Sequence, residues 1–157
     1  MKLFLIVSLV CVIMVIAKSL SAQYRDKYDF YYNLNHFLTN FKLNLGFRQC
    51  KISEFLKTIK SRKDFKVFIE SYQTYLETSK LDLSEIKNME DEEKKELEEI
   101  ITSIGKLNLE GEINQINTFI TSVETRLKQA EDNKNKICPM TLKLSFLFAI
   151  GLAILFI

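Results

Sequence analysis

The chain is poor in the residues that break regular structure and in those that build reactive sites. Among its 157 residues there is one proline, four glycines, one histidine and no tryptophan. Pro139 stands near the end, and only Gly46, Gly105 and Gly111 punctuate the central region. Apolar residues recur there at helical spacing, and no alternating pattern competes, so strands are not expected.

The single histidine, His36, sits between Asn35 and Phe37 without partners at ligand spacing. There is no Glu-x-x-His, His-x-x-x-His or Cys-x-x-Cys, which excludes the common helical metal sites. A glycine-rich phosphate loop and a Gly-x-Ser-x-Gly elbow are also missing. Cys50 has no second histidine nearby in sequence to activate it. The acidic run Glu90-Asp91-Glu92-Glu93 lacks the Asp-x-Asp-x-Asp-Gly calcium pattern. It reads as a solvated first helical turn. No catalytic, cofactor-binding or metal residue is therefore expected, and the chain is not read as an enzyme. No Asn-x-Ser/Thr sequon occurs, so N-glycosylation is not expected either.

What the sequence does have is an apolar run at each end. Lys2 precedes the run Leu3 to Ala17, which is followed by Lys18-Ser-Leu-Ser-Ala22. Small residues at −1 and −3 suit cleavage, and this arrangement reads as a signal peptide over 1–22, cut near Ser19–Ala22. At the other end Leu144 to Ile157 carries no charge. Fourteen helical residues reach about 21 Å, short of a hydrocarbon core of about 30 Å. A small residue, a ten-residue polar spacer and an apolar tail fit a glycosylphosphatidylinositol (GPI) attachment signal over 134–157, with Asn133 as the candidate attachment site. A retained transmembrane tail, with Lys143 snorkelling to the surface, is the other reading.

Charge follows from this processing. Loss of Lys2 and Lys18 takes the formal +2 to zero, and loss of Lys134, Lys136 and Lys143 takes it to −3. No nucleic-acid partner fits such a balance. Charge is nonetheless uneven. Eight Lys/Arg lie within Lys42–Lys66 and nine acids within Asp82–Glu99, which reads as two solvated helix faces. Of the cysteines, Cys11 would leave with the signal. Cys50 and Cys138 could pair in an oxidising compartment, but only if the tail is retained.

The region 23–133 reads as one all-α domain, an up-and-down antiparallel bundle of four or five helices. The first helix is predicted over Tyr24–Leu45, with the stripe Tyr24, Tyr28, Tyr31, Leu34, Leu38, Phe41 and Leu45. From Ser53 the apolar face of Ile52, Phe55, Leu56 and Ile59 points about 150° away from that of Phe65, Phe68, Ile69 and Tyr72. A break at Ser61–Asp64, where Ser61-Arg-Lys-Asp64 has capping-box form, would resolve this. The next helix is predicted to start at Asp82–Glu85 and to have a wet beginning, because Glu93 interrupts its stripe. A turn at Gly105–Gly111 separates it from a last helix carrying Ile113, Ile116, Ile120, Val123 and Leu127. With five helices Cys50 and Cys138 fall at one end of the bundle; with four they do not. The early aromatics are too many for one face, so one or two rings should be exposed.

Read alone, the sequence points to a membrane-tethered extracellular or cell-surface helical protein, acting as an interaction or structural module with an unidentified extracellular protein partner. The alternative is a secreted or surface carrier holding an apolar, lipid-like ligand in the bundle. Either way it places the chain in the secretory pathway, at the outer face of the plasma membrane. No motif is specific enough to name a family.

Overall fold

The computed structural model describes residues 2–48, 51–59 and 63–156. It is all-helical, with five helices: α1 (Lys2–Arg48), α2 (Ile52–Thr58), α3 (Lys63–Thr78), α4 (Asp91–Ser103) and α5 (Leu109–Phe156). No strand occurs among the described residues. The chain forms two compact units, one of Asp29–Lys128 and one of Met1–Tyr28 with Gln129–Ile157. Helices α1 and α5 contribute to both.

The Asp29–Lys128 unit is held by aromatic packing. Phe30 and Phe37 of α1 meet Phe55 of α2 and Phe65, Phe68 and Tyr72 of α3, with ring centroids 5.7–6.4 Å apart. Such pairs add about 0.5–1.5 kcal/mol each beyond area burial. Leu34, Leu38 and Phe41 of the expected stripe are buried with them, while Tyr32 and Phe47 are 54% and 86% exposed. The surplus of aromatics on α1 is thus resolved as the sequence required.

The phase change after Ser53 is resolved by a break. Helix α2 has only seven residues and ends where Ile59 becomes extended, at φ −86° and ψ 123°. Helix α3 starts at Lys63, whose φ of 52° marks a sharp reversal. Residues 60–62, which hold half of the expected capping box, lie outside the described residues. Phe55 and Leu56 on one side of the break and Phe65, Phe68, Ile69 and Tyr72 on the other are all buried.

Three local expectations are corrected. The helix expected from Asp82 starts only at Asp91. Asp82 Oδ1 accepts the Ser84 N–H at 2.8 Å, an Asx turn that offers the backbone an alternative to helix. Hydrogen bonding to Ser84 also holds the Asp82 carboxyl below its usual range. Leu83 and Ile86 are buried and pin this loop. Second, the start of α4 is not wet at Glu93, which is only 3% exposed; its polar ends find partners described below. Third, α1 begins at Lys2, well before Tyr24, and runs past Gly46 to Arg48.

The turn between α4 and α5 falls where Gly105 and Gly111 placed it. Gly105 has φ +91°, a conformation costly for any residue with a Cβ. Asn108 caps α5, its Oδ1 accepting the Gly111 N–H at 3.0 Å. A Cβ on Gly111 would lie 2.8 Å from that oxygen. The buried Glu112 carboxylate then reaches back and accepts the Gly105 N–H at 2.7 Å.

A Cys50–Cys138 bridge was possible only with a retained tail, and no disulfide occurs among the described residues. Cys138 is a free thiol and donates to the Ser21 carbonyl at 3.4 Å. Cys50 lies outside the described residues.

Candidate functional site

Two features stand out: the paired apolar helices of the terminal unit, and a polar cluster inside the Asp29–Lys128 unit.

In the terminal unit α1 and α5 lie side by side and run in opposite directions. Two contacts set the register: Ser21 with Cys138, and Tyr28 with Lys134, whose ammonium lies 3.4 Å from the ring centroid. As the number rises along α1 it falls along α5. That register aligns the apolar run from Leu3 with the apolar run that closes α5 at Phe156. Each stretch of twenty residues, 3–22 and 137–156, is about 30 Å long as a helix and contains one charge, Lys18 or Lys143. The register sets these two lysines at nearly the same level.

Small residues bring the helices together: Ala17, Ser21, Ala130 and Ala149 are buried. The outer surfaces are apolar. Val12, Val15 and Ile16 of α1 and Phe146, Leu147, Phe148 and Ile154 of α5 are all more than half exposed. Among the described residues one helix, over Ser8–Phe47, is long and apolar enough to cross a membrane by length and composition. Pro139 sits inside α5 and removes one backbone donor there.

In the Asp29–Lys128 unit three helices meet through polar groups. The Tyr31 hydroxyl donates to Glu93 Oε1 at 2.9 Å, and Glu93 Oε2 accepts the Glu90 N–H at 2.9 Å. Arg126 of α5 donates from Nε to Glu96 Oε2 at 3.1 Å and from a terminal nitrogen to Glu96 Oε1. This two-point contact holds the guanidinium still more firmly charged than usual. Burial, reinforced by the Glu93 charge, pushes the Tyr31 hydroxyl above its ordinary value of 10. Burial and then Glu112 do the same for Tyr72. The cleft beside Tyr31, Glu93 and Glu96 holds only about 50 Å³, room for a water and little more. These carboxylates are engaged in joining helices.

The residues singled out from sequence are dispersed. His36 is exposed, with the Asn40 amide nitrogen 2.9 Å from its Nδ1. Asn133 is exposed within α5, where the expected spacer 134–143 is continuous helix. Among the described residues no group of three or more His, Cys, Asp or Glu could hold a metal. Sequence reasoning missed the Tyr31–Glu93 contact. The available signal was Glu93 itself, an acid at a core position three residues after the N-cap.

The geometry defines an all-helical protein with two apolar helical arms packed in register. The family model for stage III sporulation protein AB matches residues 2–157, and the chain belongs to this family. No curated protein and no solved structure matches it. Membership overturns several expectations. A bacterial sporulation protein does not carry a GPI anchor, a eukaryotic modification, so Asn133 is not an attachment site. The secretory-pathway and cell-surface placement, the extracellular partner and the secreted carrier of an apolar ligand are overturned with it.

Proposed function

We propose that the chain is a non-enzymatic, membrane-inserted component of the sporulation apparatus, held in the bilayer by both of its apolar arms. The observation that carries this reading is the register of the arms. Two stretches of bilayer-spanning length lie side by side, with their single lysines level near one end. Lysines at that depth can snorkel to the headgroups. Small residues at the contact suit helix packing in lipid, where close backbone approach replaces the hydrophobic effect. Pro139 is tolerable there, since neighbouring helices can compensate a lost backbone bond.

Orientation follows from charge. Lys18, Arg25, Lys27, Lys128, Lys134, Lys136 and Lys143 flank the arms toward the Asp29–Lys128 unit. Short segments rich in Lys and Arg stay cytoplasmic, so that unit faces the cytoplasm and 1–22 is retained rather than cleaved. Within it the helices run up and down, joined by the tight turn at Gly105–Asn108. Its buried carboxylates serve as helix ties, which supports a role without catalysis.

Washing membranes of expressing bacteria with alkaline carbonate tests insertion. The protein should stay in the pellet and dissolve only in detergent; release by carbonate would overturn the reading. Orientation is tested with Ser84→Cys, an exposed loop position, in a chain whose own cysteines are replaced by serine. An impermeant maleimide added to spheroplasts should label it only after permeabilisation. Labelling of intact spheroplasts would reverse the orientation.

A further inference from the structure

The Asp29–Lys128 unit is divided in charge. From Phe30 to Lys63 the chain has seven lysines and arginines and one acid, Glu54, a balance of +6. From Asp82 to Glu99 it has nine acids and three lysines, a balance of −6. Of those acids all but Glu93 and Glu96 are exposed. Within the basic stretch, a cleft of about 320 Å³ is lined by Asn33, His36, Asn40 and Asn44 of α1 and by Thr58 of α2. The cleft and α4 lie on opposite flanks of α1. Tyr31 is the α1 residue that meets Glu93 of α4. Asn40 is nine positions from it, which at about 100° per residue sets the two about 180° apart around the helix.

No acid lines the cleft among the described residues. Asn33 donates to the Asp29 carbonyl at 2.6 Å and Asn44 to the Asn40 carbonyl at 2.9 Å, while the Asn40 amide nitrogen lies 2.9 Å from His36 Nδ1. Each carboxamide nitrogen carries a second N–H, which suits a carboxylate brought from outside. Lys57 stands between the lining residues Phe55 and Thr58, and Lys66 next to Phe65; both are exposed. On α4, Glu98 and Glu99 are exposed while Leu97, Ile100 and Ile101 are buried in the core.

We infer that the protein associates with itself through these unlike flanks: the Glu98–Glu99 side of α4 in one copy docks on the asparagine cleft and its Lys57–Lys66 rim in the next. A contact between unlike faces leaves one of each open on every pair, so it extends into rows or closes into rings. Copies held in one membrane share one orientation, and such a contact needs no copy to be inverted. The charge division belongs to the Asp29–Lys128 unit alone; the common orientation rests on the membrane-inserted reading above. Exposed charges supply the attraction, so it weakens as salt shortens the Debye length from about 10 Å at 0.1 M to about 3 Å at 1 M.

The test co-expresses two differently tagged full-length copies, solubilises them in mild detergent and captures one tag. The second copy should be retained at about 0.1 M salt and fall at least about fivefold at about 1 M. The basic-flank variant Lys57→Glu/Lys66→Glu should lose self-capture at least about tenfold, and so should the acidic-flank variant Glu98→Lys/Glu99→Lys. Co-expressed with each other, these two variants should recover capture, because each supplies the face the other lacks. Recovery would also show that both variants fold. The variant Glu110→Lys/Glu124→Lys, with the same charge change as the acidic-flank variant but outside both stretches, should self-capture like the wild type. No capture by the wild type, self-capture surviving in either flank variant, equal loss in the Glu110/Glu124 variant, or no recovery in the mixture overturns the docking. Carbonate extraction reads insertion separately. A wild type that stays in the membrane without capturing its copy refutes the docking alone, whereas one that carbonate releases but that still captures its copy refutes insertion alone.

Discussion

The Tyr31 hydroxyl donates to Glu93 Oε1 at 2.9 Å, across 62 positions of sequence. The contact joins α1 to the first turn of α4 and is what allows a carboxylate to sit at 3% exposure. Glu93 also accepts the Glu90 N–H, so one buried group both caps its own helix and ties it to another. Removing a partner from a buried carboxylate costs about 1–3 kcal/mol. Tyr31→Phe, which preserves the ring packing, should lose that much stability in urea unfolding of the detergent-solubilised protein. A loss below about 0.5 kcal/mol would mean that the contact contributes little.

The same hydroxyl makes stability depend on alkaline pH. Tyr31 and Tyr72 both have proton affinities raised above the ordinary value of 10, chiefly by burial. The folded state therefore holds these protons more tightly than the unfolded chain does. The stabilisation is complete below pH 10 and is lost as the pH climbs through 10 toward the higher folded values. Unfolding midpoints measured from pH 8 to 11 should fall above about pH 10. In Tyr31→Phe/Tyr72→Phe the fall should be shallower; an unchanged slope would assign it to other groups.

The turn at Gly105 yields a backbone prediction. Its φ of +91° is open to glycine and strained for alanine, although no atom lies within 4 Å of a Cβ placed there. Gly105→Ala should cost about 1–2 kcal/mol from backbone strain alone, read as a lower unfolding midpoint with unchanged helix content. The Gly105 N–H also holds the buried Glu112 carboxylate at 2.7 Å. Distortion of the turn should therefore reach Tyr72, whose hydroxyl feels that charge. A wild-type midpoint would show that the turn relaxes freely.

The sequence carried the helix class, the break after α2 and the turn at Gly105–Gly111, because each is a local signal. A phase jump of about 150° cannot be buried by one straight helix, and glycine flanking a reversal has few other uses. The continuity of α1 and α5 through their ends was not legible. The change from apolar arm to amphipathic domain at Lys18 and at Lys143 looked like a boundary between segments, yet composition changes along a helix need not interrupt its backbone bonds. Glu93 was misread for a related reason. An acid on an apolar stripe is wet unless a donor comes from elsewhere, and Tyr31 lies 62 residues away. The arms were legible as apolar runs, but their pairing rests on Ser21 and Cys138, a hydroxyl residue and a thiol residue with no shared motif.

That pairing can be trapped covalently. Ser21 is buried against α5, and the Cys138 thiol lies 3.4 Å from its carbonyl oxygen. A cysteine at position 21 therefore stands beside a native one on the facing helix, the juxtaposition a disulfide needs. In a chain carrying Cys11→Ser, Cys50→Ser and Ser21→Cys, mild oxidation in the membrane should close an intrachain bond between 21 and 138. Cleavage in the loop between α3 and α4 would then leave the two fragments joined until reductant is added. Ala17→Cys is the control. It is one turn away along α1, which moves its level about 6 Å toward Lys143 and out of reach of Cys138. It should cross-link at least tenfold more slowly. Equal rates at 17 and 21 would indicate arms that slide past one another. No cross-link at either position would remove the register on which the paired insertion of the arms depends.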